Sequence, residues 1–181
     1  DVDLNIVAWT TTPWTLPSNL ALAVGGEIEY SVVKANEKYY IFATSNVTKY
    51  EKELGEYEIV GTLLGEDLGG SKYEPLFPYF KDTQNAFEIF VTDFVTTQDG
   101  TGVVHLAPYG EDDFFVLQNK GINIPVAVDV QGKFDSTVTD YEGQNVFDAN
   151  TNIAKDLKAS GRVLRHESYR HAYPHCWRTD K

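Results

Sequence analysis

Short runs of apolar residues, separated by glycine, proline and small polar residues, recur along the chain. Runs that are rich in β-branched and aromatic residues and too short for a typical helix predict β-strands. A further short apolar run at 20–24 is ended by Gly25 and Gly26. The predicted strands are 4–9, 27–34, 38–44, 58–64, 87–95, 102–106, 125–130 and 162–169.

Two longer helices are predicted between these runs. The first starts near Gly110 and ends before Gly121, and its acidic first turn suits the positive end of a helix dipole. The second runs from about Asp148 to Ser160, with Asp148 as the N-cap and Gly161 as the terminating glycine. Both helices are short enough to pack on the outside of a β structure.

Three other segments complete the pattern. A short helix is predicted at 45–54, and an extended excursion rich in glycine and proline at 66–85. Residues 10–17 are predicted to be a stiff loop, because Pro13 and Pro17 each remove a backbone donor and disfavour helical geometry before them. Many short strands with few helices predict an α+β domain with a closed or strongly curved β structure.

The composition is that of a folded domain with an acidic surface. The chain has 181 residues, of which 42% are apolar and 13% aromatic, enough for one compact domain with a buried core. Its 27 acidic and 15 basic residues give a net charge of −12, which argues against a broadly basic surface for nucleic acid. No apolar run approaches the roughly 20 residues of a membrane span, so we expect no membrane association.

The ends and the single cysteine give expectations about context. Cys176 cannot form an internal disulfide, which is compatible with a reducing compartment, and we expect a cytoplasmic protein. The N-terminus lacks the basic and apolar regions of a signal peptide. Because the sequence begins with Asp1 and not with Met, we expect a fragment of a longer protein.

A first cluster of chemically useful residues lies at 9–19, with the sequence WTTTPWTLPSN. Its threonines supply neutral donors and acceptors on a rigid segment, which suits a ribose, a phosphate or a water molecule. The alternative is structural, since threonine is common in strands and Thr-Pro often marks a turn. Composition alone favours the structural interpretation.

A second cluster at 100–113 combines a strand that carries His105, a tight loop and an acidic helix start. A carboxylate at a helix start is stabilised as an anion by backbone amides and could bind an ammonium group. The alternatives are that Glu111 and Asp112 only cap the helix and that His105 is a satisfied histidine at a strand end. Gly100 and Gly102 do not form a phosphate loop, because the accompanying lysine and spacing are absent.

A third cluster at 166–178 contains three histidines and Cys176. Its spacing matches no standard zinc motif, and its ends lie apart on a segment predicted to be extended. We therefore predict no metal site and interpret the segment as a connecting strand whose basic and aromatic residues contact something outside this chain.

Together these clusters resemble the editing domain inserted into class I isoleucyl-tRNA synthetases, known as connective peptide 1 (CP1). The segments that carry the resemblance are 9–21 (WTTTPWTLPSNLA), 73–77 (YEPLF), 100–105 (GTGVVH), 107–108 (AP), 110–113 (GEDD) and 173–178 (YPHCWR). Valyl and leucyl relatives typically carry arginine after the threonine pair, whereas this chain has Thr12, Pro13 and Trp14. The resemblance implies a β-barrel-like editing domain with peripheral helices over 1–181, in which 1–8 and about 162–181 connect to the catalytic core.

The resemblance also implies a reaction, the hydrolysis of mischarged valyl-tRNA(Ile) by a positioned water, and roles for individual residues. His105 would narrow the side-chain pocket, Asp113 would pair with the substrate α-ammonium group, and Trp14 would form a wall. The predicted catalytic residues are the three threonines and Asp113. The residues expected around the terminal adenosine, the ester and the water are Thr10, Thr11, Thr12 and Asn19.

One departure from the family pattern affects the ammonium site. The family loop usually reads Ala-Pro-x-x-Gly, but this chain has Ala107-Pro108-Tyr109-Gly110, which is one residue shorter. A shorter loop could rotate the helix start, so that Asp112 replaces Asp113 or the site is weakened. Asp113 is preferred because its position relative to Gly110 is preserved.

The implied partners are the 3′ end of tRNA(Ile) carrying valine, the rest of the synthetase and, as a second substrate, valyl-adenylate. We expect a monomer with no cofactor in this domain, while ATP and Mg²⁺ act in the catalytic core. Because the domain is acidic, other domains would grip the tRNA. The expected local phosphate contacts are Arg162, Arg165, Arg170 and Arg178.

Two other functions stay open at this point. A module that binds charged tRNA but has lost hydrolysis through the short loop would keep the same fold. A structural insert stabilised by metal at the 166–178 cluster would lack both binding and hydrolysis. Release of valine from valyl-tRNA(Ile) separates the first function from both alternatives.

Overall fold

The structure is a computed structural model that describes residues 3–168. It is an α+β fold with seven strands in two small sheets, and the helices lie outside them. The strands are β1 (Leu4–Ile6), β2 (Ala21–Val24), β3 (Glu29–Ala35), β4 (Lys38–Ala43), β5 (Tyr57–Leu64), β6 (Glu88–Val91) and β7 (Val103–Leu106). The α-helices are α1 (Glu51–Leu54), α2 (Gly65–Leu68), α3 (Glu111–Asn119) and α4 (Val146–Ala159), and the 3-10 helices are Pro13–Ser18, Thr44–Tyr50 and Thr139–Tyr141.

The first sheet has the strand order β1-β4-β3-β5. Strands β3 and β4 form an antiparallel hairpin, as the sequence pattern predicts. Its tight turn is made by Asn36 and Glu37, both with positive φ (50° and 65°), and this conformation matches the right-handed twist of the strands. β1 pairs with β4 in parallel and therefore brings the start of the chain to the edge of this sheet.

The second sheet has the order β6-β2-β7 and positions the candidate site. β2 is its central strand, parallel to β6 and antiparallel to β7, and all four of its residues are buried. The continuous apolar sequence of β2 is explained by this burial on both faces. His105 on β7, which flanks the central strand, lies opposite Leu22 of β2.

A buried tyrosine joins the two sheets. Tyr30 of β3 is fully buried, and its hydroxyl donates to the carbonyl oxygen of Gly102 at 2.6 Å. The same hydroxyl accepts from the backbone N–H of Gly25 at 3.1 Å. Burial raises the pKa of this phenol. The described strands thus form two sheets held together at this junction and no closed barrel, which was one of the two forms, closed or strongly curved, that the strand pattern predicted.

Replacing Tyr30 with phenylalanine is expected to destabilise the fold by about 2 kcal/mol, because two buried backbone groups lose their partner. The measurement is the free energy of unfolding in urea. Tyr57→Phe is the matched control, since its hydroxyl contacts Glu51 at the surface and should cost about 0.5 kcal/mol or less. Equal losses in the two variants would contradict the role of Tyr30.

The segment predicted to be a loop at 10–17 contains a 3-10 helix at Pro13–Ser18 instead. Proline is compatible with the first helical position, where Pro13 stands, because that N–H has no partner inside a helix. The backbone bonds at its two ends run from Thr15 N to Thr12 O (3.0 Å) and from Asn19 N to Leu16 O (3.1 Å). Pro17 removes one bond between them without preventing this short helix.

Other boundaries also differ from the expected ones. The predicted helix at 45–54 is a 3-10 helix at Thr44–Tyr50 followed by the single α turn α1. α4 begins at Val146, and its N-cap is Asn145, whose Oδ1 accepts from the N–H of Phe147 at 3.0 Å. Asp148 is therefore a residue of the first turn and not the cap.

Two predicted strands are not found in the described residues. At 125–130, only an isolated bridge from Val128 to Phe134 forms, and Val126 and Val130 are exposed. Residues 162–168 pair with no strand, and the rest of the predicted strand and of the 166–178 cluster lies outside the described residues. An apolar β-branched run predicts a strand only where a partner strand is available to bury it.

Arg165 has an internal role in the segment after α4. Its guanidinium donates to both carboxylate oxygens of Glu53, at 2.7 and 2.9 Å, and lies 4.7 Å from the centre of the Tyr50 ring. The hydrogen-bonded Arg165 guanidinium lowers the pKa of the Glu53 carboxyl. Arg165, which the sequence suggested as a phosphate contact, thus binds residues of the fold itself.

Candidate active site

A row of threonine hydroxyls leads from the first cluster to the imidazole of His105. Thr10 Oγ1 accepts from the N–H of Thr12 at 3.0 Å and lies 3.4 Å from Thr12 Oγ1. Thr12 Oγ1 lies 3.4 Å from Thr15 Oγ1, which is 2.7 Å from His105 Nε2. Thr11 is half-buried within the same turn. The structure therefore brings the hydroxyl-rich turn and the histidine of the second cluster into contact.

The buried imidazole of His105 is neutral. Burial lowers its pKa to about 4. Its Nε2 forms a 2.7 Å hydrogen bond with the Thr15 hydroxyl, whose oxygen also lies 2.9 Å from the Thr12 carbonyl oxygen. Nδ1 has no hydrogen-bond partner in the described structure. His105 is thus an uncharged, buried ring with one ring nitrogen unused.

The lowered pKa of His105 predicts a specific loss of stability in acid. The unfolded chain binds this proton near pH 6.5 and the folded chain only near 4. The contribution is therefore complete above about pH 6.5 and falls by roughly 3 kcal/mol as the pH drops to 4. The measurement is the urea unfolding free energy against pH for the wild type and His105→Gln. The difference between the two curves should change across this window, and parallel curves would contradict the buried neutral state.

Trp14 is held from two sides. Its backbone N–H donates to Asn150 Oδ1 of α4 at 2.8 Å. Its ring packs against that of Tyr109, with centroids 4.7 Å apart, and its buried indole Nε1 has no hydrogen-bond partner among residues 3–168. The Tyr109 hydroxyl lies 2.8 Å from Ser18 Oγ at the other end of the 3-10 helix. These contacts fix the 3-10 helix against the loop between β7 and α3.

Asp113 lies at the end of β7 that carries His105. Its Oδ2 accepts from the backbone N–H of Ala107 at 3.2 Å. The side chain is half-buried, and burial raises the pKa of its carboxyl. Asp112 is exposed, so the first turn of α3 turns Asp113, and not Asp112, towards the strand end. Among the described residues no cation pairs with this half-buried carboxylate, so a bound ammonium ion would offset part of its desolvation.

Asn19 has a different environment from the other predicted site residues. Its Nδ2 donates to the carbonyl oxygens of Ala21 at 2.7 Å and Leu106 at 3.3 Å. Its Oδ1 accepts from the Tyr73 hydroxyl at 2.6 Å. Every heavy polar atom of this buried amide thus has a partner within the fold, and Asn19 ties β2, β7 and Tyr73 together beneath the turn.

Three residues of this arrangement were missing from the sequence-based assignment. Thr15 lies within the first motif, and its position five residues after Thr10 gave no indication that it alone reaches His105. Tyr109 stands in the shortened loop, next to motif residues. Asn150 has no sequence signal at all, because its contact with Trp14 spans most of the chain.

Other kinds of site receive no support within residues 3–168. No group of three side chains there could hold a metal ion. No helix in that part of the chain is long and apolar enough to cross a membrane. Two open surface clefts are lined by other residues than those of the predicted site. The first, of about 260 Å³, is lined by residues 34–37 and 56–58. The second, of about 410 Å³, is lined by residues 79, 80, 82–84, 123 and 125.

Comparison with solved structures defines the class of fold. GlLeuRS-CP1 superposes with a TM-score of 0.70 over 91% of this chain and 84% of that chain, at 14% identity. The editing domain of the cytosolic leucyl-tRNA synthetase of P. falciparum superposes with a TM-score of 0.67 over 86% of this chain and 76% of that chain, at 10% identity. The chain thus has the fold of a CP1 editing domain, and the expected α+β editing-domain class is confirmed.

Sequence comparison identifies the family. Isoleucine–tRNA ligase of Mycobacterium tuberculosis is 52% identical in an alignment of 183 positions that covers 96% of this chain and 18% of that protein. The ligase of Rickettsia prowazekii is 52% identical in an alignment of 184 positions that covers 98% of this chain and 17% of that protein. The chain belongs to the isoleucine–tRNA ligase family, and it spans about a fifth of the length of these relatives. No family model matches the chain.

Proposed function

We propose that this chain is an editing deacylase that hydrolyses valyl-tRNA(Ile) and spares isoleucyl-tRNA(Ile). The observation that carries the proposal is the contact of Thr15 with the neutral, buried His105, beside the hydroxyl-rich turn and on the strand that leads to Asp113. This combination offers a rigid uncharged wall, an anion and several neutral donors within one region.

The size of the side chain is the basis of the proposed selection. Valine and isoleucine differ by one methylene. An aminoacylation pocket that fits isoleucine therefore cannot exclude the smaller valine. A second pocket that fits only valine removes the error. His105 suits this purpose because packing and the 2.7 Å contact with Thr15 hold its ring in place.

The proposed chemistry is direct attack of a water molecule on the ester carbonyl. Threonine hydroxyls of the turn would orient the water and donate to the developing oxyanion, since they carry no charge that must be neutralised first. Thr10, Thr11 and Thr12 are the proposed residues for these steps, and Asp113 would hold the α-ammonium group. No cofactor is required from this domain, and ATP and Mg²⁺ are proposed to act in the rest of the ligase.

The proposed partners follow from the family. They are the 3′ end of tRNA(Ile) carrying valine and the remainder of a monomeric, cytoplasmic ligase, with valyl-adenylate as a further substrate. The net charge of −12 supports tRNA binding mainly by regions outside this chain. Binding by this chain alone should be weak and fall steeply with salt.

The test is release of valine and of isoleucine from the two charged forms of tRNA(Ile), measured in the full-length protein. We expect valine to be released at least about a hundredfold faster than isoleucine. The aminoacylation pocket discriminates the two amino acids only moderately, so the editing pocket has to supply the rest of the selectivity. Binding of valyl-tRNA(Ile) without release would indicate a binding module. Equal release of both amino acids would refute the size selection.

A further inference from the structure

We propose that Asn150 of α4 is a positioning residue for the hydroxyl row, because it caps the 3-10 helix that carries Thr15. This inference rests on the proposed function and extends it to a residue far from the predicted motifs. The first backbone N–H groups of the Pro13–Ser18 helix need acceptors. The first donors of a helix have no partner within it and are usually satisfied by the N-cap side chain.

The N-cap residue here is Thr12, and its side chain makes no capping hydrogen bond. Its hydroxyl instead lies within 3.4 Å of both Thr10 Oγ1 and Thr15 Oγ1. Of the first donors, Pro13 has no N–H, and Thr15 N donates to the Thr12 carbonyl oxygen. The N–H of Trp14 is therefore the donor that a cap must satisfy, and Asn150 Oδ1 accepts from it at 2.8 Å.

The cap thus comes from another helix, and this has a chemical consequence. A threonine at the N-cap normally turns its oxygen towards the second or third amide of the helix. With Asn150 in that role, the Thr12 oxygen is not needed as a cap and stays in the row that leads to His105. The same bond sets the distance between the 3-10 helix and α4, and hence where Thr15 meets the imidazole.

α4 is a suitable support for this cap. Ala149 and Ile153, which flank Asn150 along the helix, are fully buried in the main core, whereas Asn150 itself is half-buried. A side chain anchored in this way has little freedom to follow movements of the turn. The cap therefore acts as a fixed reference point for the start of the 3-10 helix.

The test compares four variants in the full-length protein, by steady-state hydrolysis of valyl-tRNA(Ile) and by hydrogen exchange of peptides that cover residues 10–20. Asn150→Leu removes the acceptor, and Asn150→Asp keeps an oxygen at the same position. Asn152→Leu makes the same change two residues along, where the amide contacts Gln144 at the surface. Asn145→Ala removes the cap of α4 itself and so weakens that helix without touching Trp14.

We expect Asn150→Leu to lower kcat at least about tenfold with KM within about twofold, and to accelerate exchange in 10–20. Asn150→Asp should restore kcat to within about threefold of the wild type, and Asn152→Leu and Asn145→Ala should leave both measurements near wild-type values. A wild-type rate in Asn150→Leu, failure of Asn150→Asp to restore the rate, or an equal loss in Asn145→Ala would overturn the inference.

The two measurements separate this inference from the proposed function. If the wild type releases no valine, the proposed deacylase function fails. Exchange in 10–20 then still decides whether Asn150 holds the turn, since it needs no activity. If valine is released and exchange does not respond to Asn150→Leu, only the role of Asn150 is lost.

Discussion

Replacing Asp113 with asparagine is expected to lower kcat/KM for valyl-tRNA(Ile) hydrolysis by at least about a hundredfold. The substitution keeps the shape of the side chain but removes the charge that would pair with the substrate ammonium group. Losing one partner of a poorly solvated ion pair costs about 3–5 kcal/mol, which corresponds to a factor of a hundred or more. The measurement is steady-state hydrolysis in the full-length protein, with charged tRNA(Ile) as substrate.

Asp112→Asn is the matched control for this prediction. It removes the same charge one residue earlier, from an exposed side chain. Its rate should stay within about threefold of the wild type, since an exposed charge interacts weakly through water. A large loss in Asp112→Asn with a small one in Asp113→Asn would show that the shortened loop has moved the ammonium site to Asp112.

His105→Ala is expected to allow hydrolysis of isoleucyl-tRNA(Ile), which the proposed function requires the wild type to spare. Removing the ring leaves a space well above the volume of one methylene, and so the additional carbon of isoleucine no longer meets a wall. The rate on the isoleucyl ester should rise at least about tenfold, because accommodating the methylene changes from a clash to burial worth about 0.8 kcal/mol. Hydrolysis of the valyl ester should persist at a reduced rate.

The partner of His105 provides a second check on this wall. Thr15→Val keeps the volume of the side chain and removes the hydroxyl that forms a hydrogen bond with Nε2. We expect an intermediate loss of selectivity, because the ring stays but is less firmly held. If isoleucyl-tRNA(Ile) stays fully protected in both His105→Ala and Thr15→Val, the steric role of His105 is wrong.

Local patterns predicted the strands that pair with nearby strands. The β3–β4 hairpin follows from alternating residues around a tight turn, and the helix near residue 111 follows from its acidic start. The segment 125–130 has an equally apolar pattern, but the fold offers it only the Val128–Phe134 bridge. The pattern describes what a segment can do, and the partner that decides the outcome lies elsewhere in the chain.

The candidate site shows the same division. The resemblance to the editing-domain family singled out the threonines, His105 and Asp113, and their roles stay predictions. The contact of Thr15 with His105 could not be deduced, because Pro13 and Pro17 argued against any helix in that segment and the side-chain spacing of a 3-10 helix was therefore not expected. The contact of Asn150 could not be predicted either, because no sequence motif marks a side chain that binds a backbone amide.

The pairing of β2 has a consequence for the order in which the protein is made. Ala21 pairs with Glu88 on one side and with Leu106 on the other, so neither neighbour of this strand has been synthesised when residues 21–80 have left the ribosome. The β3–β4 hairpin can close early, whereas the central strand of the other sheet must wait with its apolar surface uncovered. The threonine turn is therefore synthesised well before His105, which it later contacts. Until then residues 20–24 are an uncovered apolar segment of the kind that chaperones of nascent chains bind.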